Sequence, residues 1–441
     1  MQRCKQTGNP MADALRQIIA RNRAGEATAI PSVCSAHPDV LRACLMRAQT
    51  LGRPVVIEAT SNQVNQDGGY TGMTPVAFIR FVNDIARAAK VDRDLVIFGG
   101  DHLGPQVWRR GDTDRAMAKA RQMVADYAAA GFSKIHLDCS EGCAGETDQI
   151  GDKMAALRAA DLAGACLRAA PDADDLLFVI GTEVPPPGGA RADEHGDIAP
   201  STPASAAATL IAHADAFRKA GLAHILPQIG GLVVQPGVEF SPMAVHHLPL
   251  HRDPALAAVL KGWPAVCLEA HSTDYQHPAA LHRLAELGFA FQKVGPALTF
   301  AYRQAVYSLD HLRRLASWDS AEPLAEVMER VMLDQPGYWQ DHYRGDSGDI
   351  RVERHFGLAD RIRYYWPQPA AKSAVSALFA DLHGKVLPEP MLLQAFAPDL
   401  LDRASDLGGA LPQALVTASI QLALDPYFLD SAAPFGKEPS L

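Results

Sequence analysis

The sequence predicts an α/β chain, a TIM (β/α)8 barrel with a C-terminal helical extension, and three observations predict it. Eight short runs rich in Val, Ile and Leu recur between residues 28 and 294, which is how strands buried on both faces of a parallel sheet read. Each run is followed by an amphipathic stretch, and eight strands each followed by a helix is the count of a barrel. Long polar loops follow the strands and short ones precede them, so the polar material gathers on one face. A doubly wound open sheet shares the alternation but not the count or the asymmetry.

Residues 1–24 are assigned to an N-terminal helix that caps the barrel. Lys5, Asp13, Arg16, Arg21 and Arg23 interrupt any apolar stretch a signal peptide needs, so a cytoplasmic location is expected. The barrel is assigned to 25–317. Its strand runs are 28–33, 54–58, 95–100, 134–138, 177–182, 231–235, 265–270 and 290–294. Helical patterns occupy 40–50, 75–89, 113–130, 153–169, 204–220, 254–261, 278–287 and 299–316. At the sixth strand, 223–226 competes with 231–235. The loops that follow strand ends are 60–73, 103–112, 139–151, 184–202 and 236–247, the fourth carrying the turn-forming Pro185-Pro-Pro-Gly-Gly189.

Beyond Trp318 the alternation stops, and 318–441 reads as a helical region with helices at 321–333, 350–364, 371–382, 389–395, 399–403 and 411–424. Gly337-Tyr-Trp-Gln-Asp-His-Tyr343 and Arg363-Tyr-Tyr-Trp366 supply aromatic anchors that pack this layer on the barrel or on another subunit, so a homo-oligomer is one expectation.

The 441 residues carry 41 Lys and Arg against 50 Asp and Glu, a net charge of −9 with no basic run. That balance offers no footprint for nucleic acid or an anionic membrane surface, and no stretch approaches the roughly 18 apolar residues of a membrane span. The seven cysteines are odd in number, scattered and embedded in apolar runs, which suits reduced thiols acting as small hydrophobes. Cys139 and Cys143 lack the second pair that a structural zinc site requires.

The sharpest chemical signal is Val96-Ile-Phe-Gly-Gly-Asp-His-Leu-Gly-Pro105, an apolar strand that ends in a carboxylate and an imidazole. Asp101 and His102 stand where barrel chemistry stands, the imidazole as a metal ligand and the carboxylate aimed to the other side of the chain path, toward substrate. Glu58, Asp138, Glu183, Glu269 and His271 end other strands, so seven such groups converge on one mouth. That clustering is costly unless a cation compensates it; the alternative is pairing with Arg, Lys and backbone amides. Lys293, ending the last strand, reads as a counter-ion or as an amine for imine chemistry. Gly295 and Thr299 open the final barrel helix, whose N–H groups suit a phosphate. The loop from Ser61 to Gly72 is rich in the amides and hydroxyls a polyol needs. There is no phosphate-binding Gly-Lys-Ser/Thr loop, no dinucleotide fingerprint and no nucleophile elbow.

Gly99-Gly-Asp-His-Leu-Gly-Pro105, Gly181-Thr-Glu-Val-Pro185, Val233-Val-Gln-Pro-Gly-Val-Glu-Phe240 and Leu268-Glu-Ala-His-Ser-Thr-Asp274 together resemble the Z-type, so-called non-catalytic, subunit family of class II D-tagatose-1,6-bisphosphate aldolase. The likeness runs from about residue 11 into the C-terminal region. It implies a TIM barrel with a helical C-terminal region, and first a role in ketose and tagatose 6-phosphate catabolism, supporting a catalytic class II aldolase chain. The alternative it implies is a metal-dependent ketose, ketose-phosphate or ketouronate C4-epimerase acting alone. Some members are labelled tagatose-6-phosphate kinases, an activity for which this sequence has no nucleotide motif.

The wider resemblance to catalytic class II aldolases implies Asp101 as acid/base, with Glu183 sharing that role, and His102, His271, Glu183 and Gln235 as ligands of a divalent metal such as Zn, Mn or Mg. The strand-end and helix-start positions give Glu58, Asp138, Glu269, Lys293, Gly295 and Thr299 as candidate contacts of a sugar or sugar phosphate. The sequence departs from the aldolases at Gln235, where they offer a His, and at Gly295, where they offer a substrate-contacting Asn.

Overall fold

The computed structural model describes residues 10–183 and 198–429. Eight parallel strands close into a barrel: β1 (Ile30–Cys34), β2 (Val55–Thr60), β3 (Val96–Leu103), β4 (Lys134–Leu137), β5 (Leu177–Ile180), β6 (Ile229–Val233), β9 (Cys267–Ala270) and β10 (Phe289–Val294). The short strands β7 (Glu239–Phe240) and β8 (Val245–His246) form a separate antiparallel hairpin in the loop after β6. The expected (β/α)8 barrel with a helical extension is thus the observed architecture. The loop 184–202, with its Pro185 turn, lies mostly outside the described residues.

Proline punctuates the helices that surround the barrel. It occupies the first turn of α2 (Pro38–Leu51), α3 (Pro75–Ala88), α6 (Pro203–Lys219), α7 (Pro278–Glu286) and α8 (Pro296–Leu315), where its missing N–H costs nothing. Side-chain caps start α3, α6 and α4 (Thr113–Ala130): Thr74, Thr202 and Asp112 accept from the backbone N–H three residues on. The Ala-rich α5 (Asp152–Ala169) packs between α4 and α6. After β6 the expected helix at 254–261 is instead a 3-10 helix, Pro254–Gly262, and 223–226 falls in another, Ala223–Gln228.

Before the barrel, α1 (Pro10–Arg23) inserts Leu15 and Ile19 against Ile30, Val56, Ile97, Leu177 and Ala290, residues near the strand starts, and so plugs the N-terminal end of the barrel. The C-terminal region comprises α9 (Leu324–Asp334), α10 (Ser347–Phe356), α11 (Pro369–Leu382), α12 (Glu389–Leu392), α13 (Pro398–Leu407) and α14 (Leu411–Leu424). The helix expected over 350–364 is two pieces, because α10 stops at Gly357 and a 3-10 turn, Arg361–Tyr364, follows. Apart from α10, these helices share one hydrophobic cluster with the barrel's outer layer. Gln421 donates to the Ala43 carbonyl of α2 at 3.2 Å, and Tyr427 to the Thr273 carbonyl after β9 at 2.7 Å. Among the described residues no single helix is long and apolar enough to cross a membrane.

Candidate active site

Side chains alternate along a strand, so residues two apart share a face. On β4 this places Lys134 and His136 inside the barrel, with Asp138 just past the strand end. Glu58 of β2, Glu269 of β9 and Lys293 of β10 meet them there. Lys134 is fully buried and bridges Glu58 Oε1 and Glu269 Oε2, each at 2.6 Å. Lys293 contacts Glu58 at 2.8 Å, Glu269 at 3.2 Å and Asp101. Burial disfavours its charge, yet Asp101, Glu269 and Glu58 hold the Lys293 ammonium well above its ordinary range. A Schiff base requires the neutral amine, so Lys293 is built as a counter-ion.

Asp101 and His102 do not point to opposite sides, as the sequence suggested. His102 adopts a left-handed φ of 48°, and the β3–β4 register shifts between Gly100 and Leu103. This irregularity turns both consecutive side chains into the mouth, where both are buried and His102 Nε2 lies 3.7 Å from Asp101. Ser272, Tyr275 and Asp360 at the same mouth are also left-handed.

Each of three imidazoles has one nitrogen on a carboxylate: His102 Nδ1 on Asp138 at 2.8 Å, His271 Nε2 on Glu269 at 2.9 Å and His136 Nδ1 on Asp101 at 2.9 Å. The ring centroids stand 5.1–5.3 Å apart. With the His136 proton on Nδ1, given to Asp101, the buried Nε2 lone pair has no hydrogen-bond partner among the described residues. In that tautomer the 3.2 Å approach of the His102 amide to Nδ1 is not a hydrogen bond. Single ligand atoms of Asp101, His136, Glu269 and His271 all lie within 4.8 Å of one another.

The electrostatics follow from burial. Four carboxylates, Glu58, Asp101, Asp138 and Glu269, face two ammoniums, so the cluster keeps an excess of negative charge, two with the imidazoles neutral and one with His102 protonated. Burial raises the Asp101 carboxyl, but His102, Lys293 and the His136 hydrogen bond outweigh it and hold it well below the ordinary range. Burial and the Lys293 charge drive His271 down to about 3, which keeps its imidazole neutral. For His102, burial is outweighed by Asp101 and Asp138, and its pKa is raised.

The cluster opens on a cavity lined by Asp101, His102, His271, Lys293, Arg363 and Tyr364, among others. Two residues expected as metal ligands are not brought to it. The β5 strand ends at Ile180, and Glu183 accepts instead from the hydroxyls of Ser201 and Ser205 beside α6. The β6 strand starts two residues before the expected run, so Gln235 lies past its end, and its Oε1 caps the Gly237 and Val238 amides at 2.8 and 3.1 Å. Gly295 is where β1 and α8 approach closely: a Cβ there would lie 3.0 Å from the Cys34 carbonyl oxygen. Thr299 is buried and donates to Asp360 at 2.5 Å, turned to the C-terminal region. Glu58, Asp138 and Glu269 hold the Lys and His groups and do not line the cavity. Lys134, His136, Asp274, Arg363 and Tyr364 join the expected set.

Gly104 sets the distance between β3 and β4, because a Cβ there would lie 1.6 Å from the Asp138 carbonyl oxygen. Gly104→Ala is expected to cost about 1–3 kcal/mol by overpacking and to pull Asp138 from His102. Urea denaturation reads the cost, and an unchanged midpoint contradicts it.

The comparisons with known proteins extend over nearly the whole chain. A protein of Agrobacterium fabrum named D-tagatose 6-phosphate 4-epimerase is 45% identical over 422 residues, covering 95% of this chain and 98% of that one. A crystal structure from Sinorhizobium meliloti 1021, described as a probable tagatose 6 phosphate kinase, matches with a TM-score of 0.83 and 42% identity over 91% of this chain and 99% of that one. The sequence profile of the D-tagatose-1,6-bisphosphate aldolase subunit GatZ/KbaZ-like family matches residues 15–432, and the chain belongs to that family.

Proposed function

We propose that this chain is a metal-dependent 4-epimerase of a ketose 6-phosphate, acting on its own to interconvert the tagatose and fructose forms. The observation that carries the reading is the buried cluster of four carboxylates and three imidazoles around two ammoniums, which keeps an excess of negative charge and a bare His136 Nε2 and opens on a cavity. The name of the Agrobacterium relative supports the substrate.

The donor set fits a divalent cation. His102, His136 and His271 would hold it, with Asp138, Asp101 and Glu269 orienting their rings through the second nitrogen. Imidazole-rich ligation with nearby carboxylates favours Zn or Mn over Mg. When bound, the ion supplies Lewis acidity to the ketose oxygens.

The chain's own groups do the proton work. Asp101, held ionised, takes the proton of the 4-hydroxyl as the C3–C4 bond breaks. The bond electrons pass into a C2–C3 enediolate, and C4 becomes an aldehyde. Lys293, a permanent cation in the cavity wall, faces the developing negative charge. The aldehyde turns its other face, C3–C4 re-forms, and Asp101 returns the proton to O4, so that C4 is inverted with all atoms retained. A charged phosphosugar does not cross membranes freely, which supports a cytoplasmic location.

The test is to incubate the purified chain alone with Mn²⁺, Mg²⁺ or Zn²⁺ and tagatose, fructose, their 6-phosphates or tagatose 1,6-bisphosphate, and to separate the products. Fructose 6-phosphate should form from tagatose 6-phosphate and cease to form after chelation. Release of free trioses makes the chain an aldolase instead. The family's description as an aldolase subunit favours a second reading. In that case no substrate turns over, and a co-expressed catalytic class II aldolase chain gains stability.

A further inference from the structure

A barrel of this kind has an obvious place for an anion, the N-terminus of α8, but here that place is filled. Asp274 Oδ1 accepts from the Gly295 amide at 3.0 Å and from the Ala297 amide at 2.8 Å. Thr299 gives its hydroxyl proton to Asp360. A phosphate brought to this helix would meet a carboxylate already sitting on its donors.

The cavity has two permanently cationic side chains in its lining, Lys293 and Arg363. Lys293 touches three carboxylates and is fully compensated. Arg363 differs. Its guanidinium donates to the carbonyls of Ala359 and Asp360 and, at 2.9 Å, to the Tyr364 hydroxyl, and it stacks 4.4 Å over the Tyr364 ring. Among the described residues no carboxylate lies within ion-pair distance of it, and Asp360 and Asp274 act on its charge only through space. A half-buried guanidinium with only neutral acceptors, set in the wall of a cavity, calls for an anion, and its planar fork matches a phosphate.

The position of Arg363 is fixed from both sides. Just before its 3-10 turn, left-handed Asp360 is gripped by Thr299 and by Arg303 Nε at 2.8 Å, both on α8. Tyr275, after β9, donates to the Leu358 carbonyl at 2.6 Å. The C-terminal region is thereby latched to the barrel mouth.

We infer that Arg363 binds the phosphate group of the substrate, so that the C-terminal region completes the site by selecting phosphorylated ketoses. This rests on the phosphoketose reading above, but binding tests it separately from turnover. Calorimetric titration of the metal-loaded chain with fructose 6-phosphate and with fructose should show the phosphorylated sugar bound about 10- to 100-fold more tightly, the range for charge-assisted hydrogen bonds. Arg363→Gln should erase that preference and raise KM for the phosphorylated sugar by more than it lowers kcat. Arg363→Lys should restore part of it, and melting curves should show both variants folded. A wild-type chain without the preference, or an Arg363→Gln variant that keeps it, overturns the inference. A wild-type chain that shows the Arg363-dependent preference but no turnover supports the inference and defeats the epimerase reading alone.

Discussion

Replacing Lys134 with Met is expected to cost about 3–5 kcal/mol of folding stability at neutral pH, the usual penalty for removing one partner of a buried ion pair. Lys134 has no exposed side-chain surface, and it bridges two carboxylates that have none either. Without it, Glu58, Glu269 and Asp101 crowd one remaining cation, Lys293. Met fills nearly the same volume, so the loss is electrostatic and not a cavity.

The pH dependence has a definite sign. In the native chain burial raises Glu58 and Glu269, but Lys134 and Lys293 outweigh it and hold both below the ordinary value of 4.5. Their contribution is therefore present above pH 4.5 and lost as pH falls through the lower, native value. In Lys134→Met burial wins, and their folded pKa rises above 4.5. The variant is then penalised at neutral pH and relieved as the carboxyls protonate. Urea denaturation should show a gap between native chain and variant that is widest near pH 7.5 and narrows toward pH 5. A gap that stays constant across that range would mean the two carboxylates do not feel Lys134. Adding Glu58→Gln to the variant should recover part of the loss at pH 7.5.

How much of this was legible in the sequence depends on how local the signal was. The strands read correctly because each is a short apolar run ended by turn residues, and burial on both faces of a parallel barrel leaves no room for other compositions. Glu58, Asp101, Glu269 and His271 were legible as polar groups ending such runs. His136 was equally visible: the period-two alternation Lys134, His136, Asp138 puts all three toward one face, but attention to the strand end alone passes over it. The joint inward turn of Asp101 and His102 was not legible, because it depends on a left-handed backbone at a non-glycine residue.

Gln235 and Glu183 show how small errors of register matter. Each lies beyond the observed end of its strand, where a side chain caps its own loop or meets a neighbouring helix and no longer points into the barrel. Arg363 was beyond sequence reading for another reason. It reaches the mouth from a 3-10 turn in the C-terminal region, and only the Asp360 latch onto α8 places it there.

His271→Ala is expected to lower affinity for the divalent ion by at least about a hundredfold, since losing only an outer-sphere partner costs about 10–100-fold. Turnover should fall by about a thousandfold, the order of losing a principal stabiliser of transition-state charge. His271 is suited to ligation because it is neutral: burial and Lys293 drive its pKa to about 3, and Glu269 engages Nε2, leaving Nδ1 for an ion. Removing the ring leaves Glu269 still held by Lys134 and Lys293, so the barrel should survive. His136→Ala should lose the ion as well, because its Nε2 is a nitrogen in the cluster that has no hydrogen-bond partner among the described residues. Glu183→Gln and Gln235→Ala should keep it, since both side chains are engaged elsewhere. Metal content by mass spectrometry on the four folded variants separates the two ligand sets. Loss of the ion in Glu183→Gln or Gln235→Ala, with retention in His136→Ala, would return the site to the ligands that the aldolase resemblance implies and would remove the buried three-imidazole cluster as its basis.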